Sequence, residues 1–180
     1  MPLLGERVIL RPLTLDDYTA WADLRAESRE HLEPWEPAWR QDELWKSSFR
    51  LRVRHYQREA RDDLGYAFGV FDRPGNFLGG VTLGNVRRGV MQCATLGYWL
   101  GQPYVGQGYM TESVRRVIQH AFGQLRLHRL EAASMPSNTA SIRVLERTGF
   151  VKEGLARRYL KISGSWQDHI RFALLAEDLD

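Results

Sequence analysis

One cysteine in 180 residues, Cys93, excludes an internal disulfide framework and a multi-cysteine metal site. It fits a reducing compartment, and the location expected is cytoplasmic. No apolar run approaches the ~20 residues that a membrane-crossing helix needs. The opening MPLLGERVIL has no basic region ahead of its apolar stretch, and Glu6 and Arg7 interrupt that stretch, so no secretory leader is expected. No repeat, low-complexity tract or Gly/Ser linker divides the chain, which reads as a single domain over residues 1–180. Strong charge is missing too: 25 Lys+Arg stand against 22 Asp+Glu, a formal net charge of +3. That balance suits an anionic ligand but does not demand nucleic acid. His120, His128 and His169 are scattered without metal-ligand spacing, and no metal is expected.

What is present is a chain 43% hydrophobic, which excludes disorder. A chain of this length buries roughly 70% of its unfolded surface. Residues 7–13 read as a first strand, and Thr14 with Asp16 and Asp17 as a helix start. A helix over 15–28 is stopped by Leu32-Glu33-Pro34-Trp35-Glu36-Pro37, because each proline disfavours helical geometry in the residue before it. A second helix is expected from about Asp42 to Ala60. An antiparallel meander follows: strands at 66–71, 77–85 and 91–100, joined by Asp72-Arg73-Pro74-Gly75-Asn76 and Arg87-Arg88-Gly89. Residues 109–122 place Met110, Val114, Val117, Ile118, Ala121 and Phe122 on one helical face. A strand at 129–135, a short helix from Asn138 to Thr148-Gly149, and a hairpin of 150–162 with 167–175 complete the chain. The order β-α-α-β-β-β-α-β-α-β-β implies an α+β fold, a mixed, mostly antiparallel sheet between helices.

Two motifs carry chemistry. Val105-Gly106-Gln107-Gly108-Tyr109 sits between a strand and an amphipathic helix. Glycines admit a ligand close to the backbone, and the first turn of a helix presents unpaired N–H groups, so the pair suits a pyrophosphate. The alternative is a tight turn. It is neither a dinucleotide fingerprint, since Thr111 replaces the third glycine, nor a P-loop, since no Gly-Lys-Ser/Thr follows. The second motif is Asn138-Thr139-Ala140-Ser141. Asn138 is either an N-cap that satisfies a helix N–H or, with Ser141, a lining residue of the same crevice.

Together with Arg147-Thr148-Gly149-Phe150, these motifs resemble the GNAT superfamily of acetyl-CoA-dependent N-acetyltransferases. Tyr98-Trp99, Asn138-x-x-Ser141, Gly149-Phe150-x-x-Glu153-Gly154 and Gly164-x-Trp166-x-Asp168-His169 look like its RimJ/RimL branch, which contains the ribosomal-protein alanine N-acetyltransferases. Leu32-x-Pro34-Trp35-Glu36-Pro37, Asn85-Val86-x-Arg88-Gly89 and His128-Arg129 point the same way, nearest to RimJ-type members. The resemblance spans about residues 5–176.

It implies an α/β/α sandwich with six to seven strands and four helices, splayed between the fourth and fifth strands, with acetyl-CoA in the gap. The implied cofactor contacts are Tyr98, Trp99 and Leu100 on the strand, Val105, Gly106, Gln107, Gly108, Tyr109, Met110 and Thr111 in the loop and helix start, and Asn138 and Ser141. Ser141 is expected to assist thiol departure, and Asn138 to position the cofactor or the helix. Two departures from the superfamily stand out. Pro103 occupies a position often Gln or Arg, and Leu145 one often held by a proton-donating Tyr.

The fourth strand has no carboxylate, and Leu160 aligns where RimL-type enzymes carry a Glu, so neither familiar base is present. An α-amine, with a pKa near 8, needs a base less than a lysine does. Glu36 is the candidate for holding or deprotonating it, and Trp35 and Trp39 are candidate acceptor-site walls. The expected partner is a protein N-terminus, such as that of a ribosomal protein, and the chain is expected to be a monomer or homodimer. A small-molecule amine, or a non-catalytic acyl-CoA-binding or ribosome-associated role, are the rivals.

Cys93 reads as a buried structural thiol. Arg50, Arg52, Arg54, Arg58 and Arg61 form a solvated face or a footprint for an acidic partner or RNA. Gly65-Tyr66-Ala67-Phe68-x-x-Phe71 partly imitates an RNA-recognition strand but lacks its basic residue and its topology, so no sequence-specific nucleic-acid binding is expected.

Overall fold

A computed structural model describes residues 1–179. Eight strands form one sheet: β1 (Leu3–Leu4), β2 (Val8–Arg11), β3 (Tyr66–Asp72), β4 (Phe77–Arg87), β5 (Cys93–Leu100), β6 (Arg129–Ser134), β7 (Val151–Ile162) and β8 (Ser165–Leu175). Their spatial order is β1-β2-β3-β4-β5-β6-β8-β7. Five α-helices join them: α1 (Tyr18–Glu27), α2 (Arg29–Leu32), α3 (Lys46–Arg61), α4 (Tyr109–Gly123) and α5 (Thr139–Arg147). This is the expected α+β architecture, with one strand and one helix more. The two-residue β1 is too short to show a periodicity, and α2 is a single turn.

Period-two alternation sends neighbouring strand residues to opposite faces. Val70 and Leu78 enter the larger core with Val114, Val117, Ile118 and Leu145 of α4 and α5. Phe71 and Phe77, one residue along, meet Trp21 and Leu24 of α1 and Phe49 and Val53 of α3 on the other face. The sheet is thus sandwiched between two helical layers. Leu130, fully buried in the larger core, anchors the start of β6. Its truncation to Ala is expected to cost about 2–5 kcal/mol.

α1 ends at Glu27 with Ser28 as its C-cap, in line with the expected 15–28, but the break lies ahead of the prolines, and the Ser28 hydroxyl accepts the Gln102 N–H (2.9 Å). The helix expected from Asp42 begins at Lys46. Asp42 does not cap it: its carboxylate is taken by the Ser48 hydroxyl (3.1 Å) and the Arg40 guanidinium (3.0 Å).

The feature that positions the site is the one parallel pairing. β5 meets β6 only through Cys93–Arg129, Ala94–Leu130 and Thr95–Glu131. Beyond Thr95 the two strands part, while β5 remains paired to β4 as far as Leu100. The splay falls between the strands expected fourth and fifth, here β5 and β6.

Candidate active site

The splay opens a cleft of about 850 Å³. Leu96 to Leu100 form one wall, and Ala132 to Met135 with the start of α5 form the other. Past Thr95 the β6-facing edge of β5 has no strand partner, so its backbone groups are free to pair with an extended ligand.

One end of the cleft is built of backbone. After a 3-10 turn at Gln102–Tyr104, Gly106 and Gly108 adopt φ of +73° and +83°, a region costly for residues with a Cβ. A Cβ at Gly106 would touch nothing within 4 Å, so conformation rather than space requires glycine there. Gly108 ends the loop as the residue before α4. The first intrahelical acceptance is Glu112 N–H to Gly108 O (3.1 Å), which leaves the N–H groups of Tyr109, Met110 and Thr111 ahead of it without helical acceptors.

Val105, Gly106, Gly108, Met110 and Thr111 line the cleft; Gln107 and Tyr109 do not. Gln107 turns its amide back to Pro103 O (3.0 Å), and the Tyr109 ring lies under the Arg7 guanidinium (4.9 Å). Arg7 was missed by sequence reasoning. It donates to Gln107 O (2.9 Å) and to Glu112 (3.1 Å), while Glu112 also accepts the Arg7 N–H (2.8 Å). Burial pushes the Glu112 carboxyl up, but these donors outweigh it and hold the group below its usual range. The contact spans 105 residues of sequence, and no local pattern announces it.

At mid-cleft, Asn138 Oδ1 accepts the Ser141 N–H (3.2 Å), so Asn138 caps α5 and also lines the cleft. The Tyr98 hydroxyl lies 2.9 Å from both Ser141 O and Ser141 Oγ. Burial pushes the Tyr98 pKa up to about 12, against a smaller opposing effect of the Ser141 contact, so it remains a protonated donor near neutrality. Leu145 is buried in the larger core and brings no hydroxyl. Cys93 is buried as expected, and burial, then Glu131, push its thiol up.

The other end is built of side chains. Trp35, Glu36, His31, Leu160 and His169 line it. Arg25 donates to Glu36 Oε1 (3.2 Å) and Oε2 (2.6 Å), and Trp39 Nε1 donates to Oε2 (2.8 Å). The Arg25 guanidinium is itself buried among Trp39, Trp99 and Trp21, at 4.7, 4.8 and 5.7 Å from their rings. Its Nε has no protein partner. Trp39 therefore stands behind Glu36 rather than on the cleft wall. The Glu36 carbonyl accepts the Ser163 N–H (2.8 Å), which ties this loop to the β7–β8 turn. His169 is buried, with Nδ1 2.9 Å from Gln167 O. A carbonyl can only accept, so Nδ1 carries a proton there.

This cleft, with an N–H-rich loop at one end and a fixed carboxylate at the other, accompanies a family match: the model of the acetyltransferase (GNAT) domain covers residues 7–151. The chain belongs to the GNAT acetyltransferases, enzymes that draw acetyl from acetyl-CoA. This GNAT chain is 40% identical over 177 residues to the protein named "Probable N-acetyltransferase YjcK" of Bacillus subtilis, covering 98% of each. It is 35% identical over 179 residues to the [ribosomal protein uS5]-alanine N-acetyltransferase of Escherichia coli, covering 98% of this chain and 91% of that one. Among solved structures, Mycobacterium smegmatis RimJ in complex with CoA-disulfide superposes with a TM-score of 0.92 at 36% identity, over 99% of this GNAT chain and 88% of that chain. Among the described residues no helix is long and apolar enough to cross a membrane, and no His/Cys/Asp/Glu cluster could hold a metal.

Proposed function

We propose that this acetyltransferase modifies the N-terminal α-amine of a protein, of the ribosomal-protein alanine type, in the cytoplasm. The observation that carries the reading is the polarity of the cleft: free backbone N–H groups at one end, and a carboxylate flanked by Trp35 at the other. The relative that acts on ribosomal protein uS5, 35% identical over nearly the full length, supports the acceptor class.

The residues fit acetyl-CoA. The loop at 105–111 offers unpaired N–H groups and left-handed glycines to a pyrophosphate. The open edge of β5 at Tyr98 to Leu100 offers peptide groups to an amide-bearing arm. Gln107 and Tyr109 enter through their backbone alone. Acetyl-CoA supplies an activated thioester, and direct attack by the amine forms the C–N bond as the C–S bond breaks.

Glu36, with its oxygens held by Arg25 and Trp39, is placed to hold the ammonium by charge rather than to carry its proton away. His169 lines the same end, with its Nδ1 engaged by Gln167 O. A β5 N–H donates to the acyl oxygen as negative charge builds there. Ser141 hydrogen-bonds the departing sulfur. If the Tyr98 proton lies on Ser141 O, the Ser141 proton lies on Tyr98 Oη and cannot reach the sulfur. Swinging the Tyr98 proton onto Ser141 Oγ frees the serine proton, so the tyrosine acts as the serine's partner.

The test is thiol release from acetyl-CoA with three acceptor sets: peptides with a free N-terminal Ala, the same peptides N-blocked but carrying an internal lysine, and polyamines or amino sugars. Turnover with the first set alone is expected. Turnover confined to the small amines would overturn the reading, as would donor binding without turnover on any acceptor.

A further inference from the structure

We propose that the outer face of α3 is a docking surface for the phosphate backbone of a nucleic acid. Residues 46–61 hold six Lys or Arg against one Glu, so this helix carries five net positive charges where the whole chain carries three. The rest of the chain is net negative. The surplus is concentrated further within the helix. Arg50, Arg54, Arg58 and Arg61 recur at one-turn spacing, within an arc of about 80° and along about 16 Å of helix axis. All four are exposed.

Pairing sharpens the contrast. Arg7, Arg11, Arg25, Arg29, Arg40, Arg52, Arg88, Arg129 and Arg171 each meet a carboxylate within 4 Å. Among the described residues, the four arginines of the row take part in no ion pair or side-chain hydrogen bond; Arg126, Arg143, Arg147, Arg157 and Arg158 share that state, but no other helix carries four such arginines in one row. Glu59, the one acid of α3, faces His55 instead (3.5 Å). Like charges one turn apart destabilise a helix by about 0.2–0.5 kcal/mol per pair. An unscreened row of them is a cost that a polyanion would reverse.

Three features favour phosphate over other anions. The cations of the row are all arginine, whose planar fork matches phosphate and is weakly hydrated. They stand in single file at intervals of about 4.5–6 Å along the axis, suited to a ligand with repeated charge. The apolar face of α3 is already spent, with Phe49 and Val53 buried against α1 and the sheet. Leu51 is the one large apolar side chain of the helix left exposed, too little to seat α3 in a bilayer. Such contacts read charge and carry no base specificity. The row lies outside the acetyl-transfer cleft, so the inference stands apart from the proposed acceptor.

The experiment is fluorescence anisotropy of labelled RNA and DNA duplexes of roughly 20 base pairs, titrated with wild-type protein and with Arg54→Ala/Arg58→Ala at several salt concentrations. Four phosphate contacts predict a log–log salt slope near −3.5, about a 100-fold loss of affinity from 50 to 200 mM salt. The double variant should bind at least about tenfold more weakly at low salt with the slope roughly halved, while its peptide acetylation and melting temperature stay at wild-type values. Binding to RNA alone, DNA alone or both supports the surface and distinguishes the source of the phosphate. No saturable binding at low salt would overturn it. So would a slope unchanged in the variant, equal affinity for poly-glutamate, or preference for phosphatidylserine vesicles.

Discussion

The two ends of the cleft are made of different material. The donor end is backbone: two left-handed glycines and the first turn of α4. The acceptor end is a side-chain cluster in which Arg25 and Trp39 fix one carboxylate, Glu36, while the β7–β8 turn holds its backbone carbonyl. Backbone suits a ligand that never changes. A cluster of side chains can be exchanged residue by residue, and that is where one fold can be fitted to different acceptors.

The largest break should come at Arg25. Arg25→Met leaves Glu36 half-buried without its cation, and loss of one partner of such a pair costs ~3 kcal/mol. That corresponds to a fall of about 8 °C in melting temperature for a chain of this size. Of the donor side only the Trp99 ring touches Arg25 (4.8 Å), and acetyl-CoA is met there by the β5 backbone and by the loop at 105–111, so the KM for acetyl-CoA in the surviving folded fraction should hold. A melting curve with donor-varied initial rates checks both.

Next is mid-cleft. Ser141→Ala should lower kcat about 100-fold, the lower range for acid–base assistance. Tyr98→Phe should cost about tenfold, and the double variant no more than Ser141→Ala, because the two hydroxyls act as one unit. Additive losses in single-turnover rates would show that they act separately.

The smallest effect concerns the brace under the loop. The Glu112 carboxyl is held below its ordinary value of 4.5 by the Arg7 and Val8 donors. A lowered folded value contributes stability above the unfolded value, and this is lost as pH falls through the folded one. Thermal stability of the wild type should therefore decline below about pH 4.5 more steeply than that of Glu112→Gln. The difference should stay under ~1 kcal/mol, since Arg7 is half exposed.

The same contrast explains what the sequence could disclose. The donor end is contiguous: Gly106, Gly108 and the apolar stripe of α4 lie within 17 residues, and local pattern announces them. The sheet was legible for the same reason, apart from β1, which exists only through its pairing with β2. At the acceptor end Glu36 and Trp35 were visible as residue types, but the role of Glu36 depends on partners from α1 and from the β7–β8 turn. Trp39, expected on the cleft wall, turned out to hold Glu36 from behind, a distinction that no spacing encodes. The helix start misplaced at Asp42 has a similar cause: a capping residue type whose carboxylate is spent on Arg40 and Ser48.

Separability of the two ends is tested most directly by initial rates with both substrates varied, for wild type, Gly108→Ala and Glu36→Gln. A Cβ at Gly108 would sit at φ +83° and 3.1 Å from the Arg7 guanidinium, a strain of about 1–2 kcal/mol that should raise the acetyl-CoA KM about tenfold. Glu36→Gln removes a charged contact worth about 1.5–3 kcal/mol and should raise the peptide KM at least tenfold. Each variant is predicted to leave the other substrate's KM within about twofold of wild type. If Glu36→Gln raised the acetyl-CoA KM as strongly as the peptide KM, or left the peptide KM unchanged, the division of the cleft into a backbone-built donor end and a side-chain-built acceptor end would be contradicted.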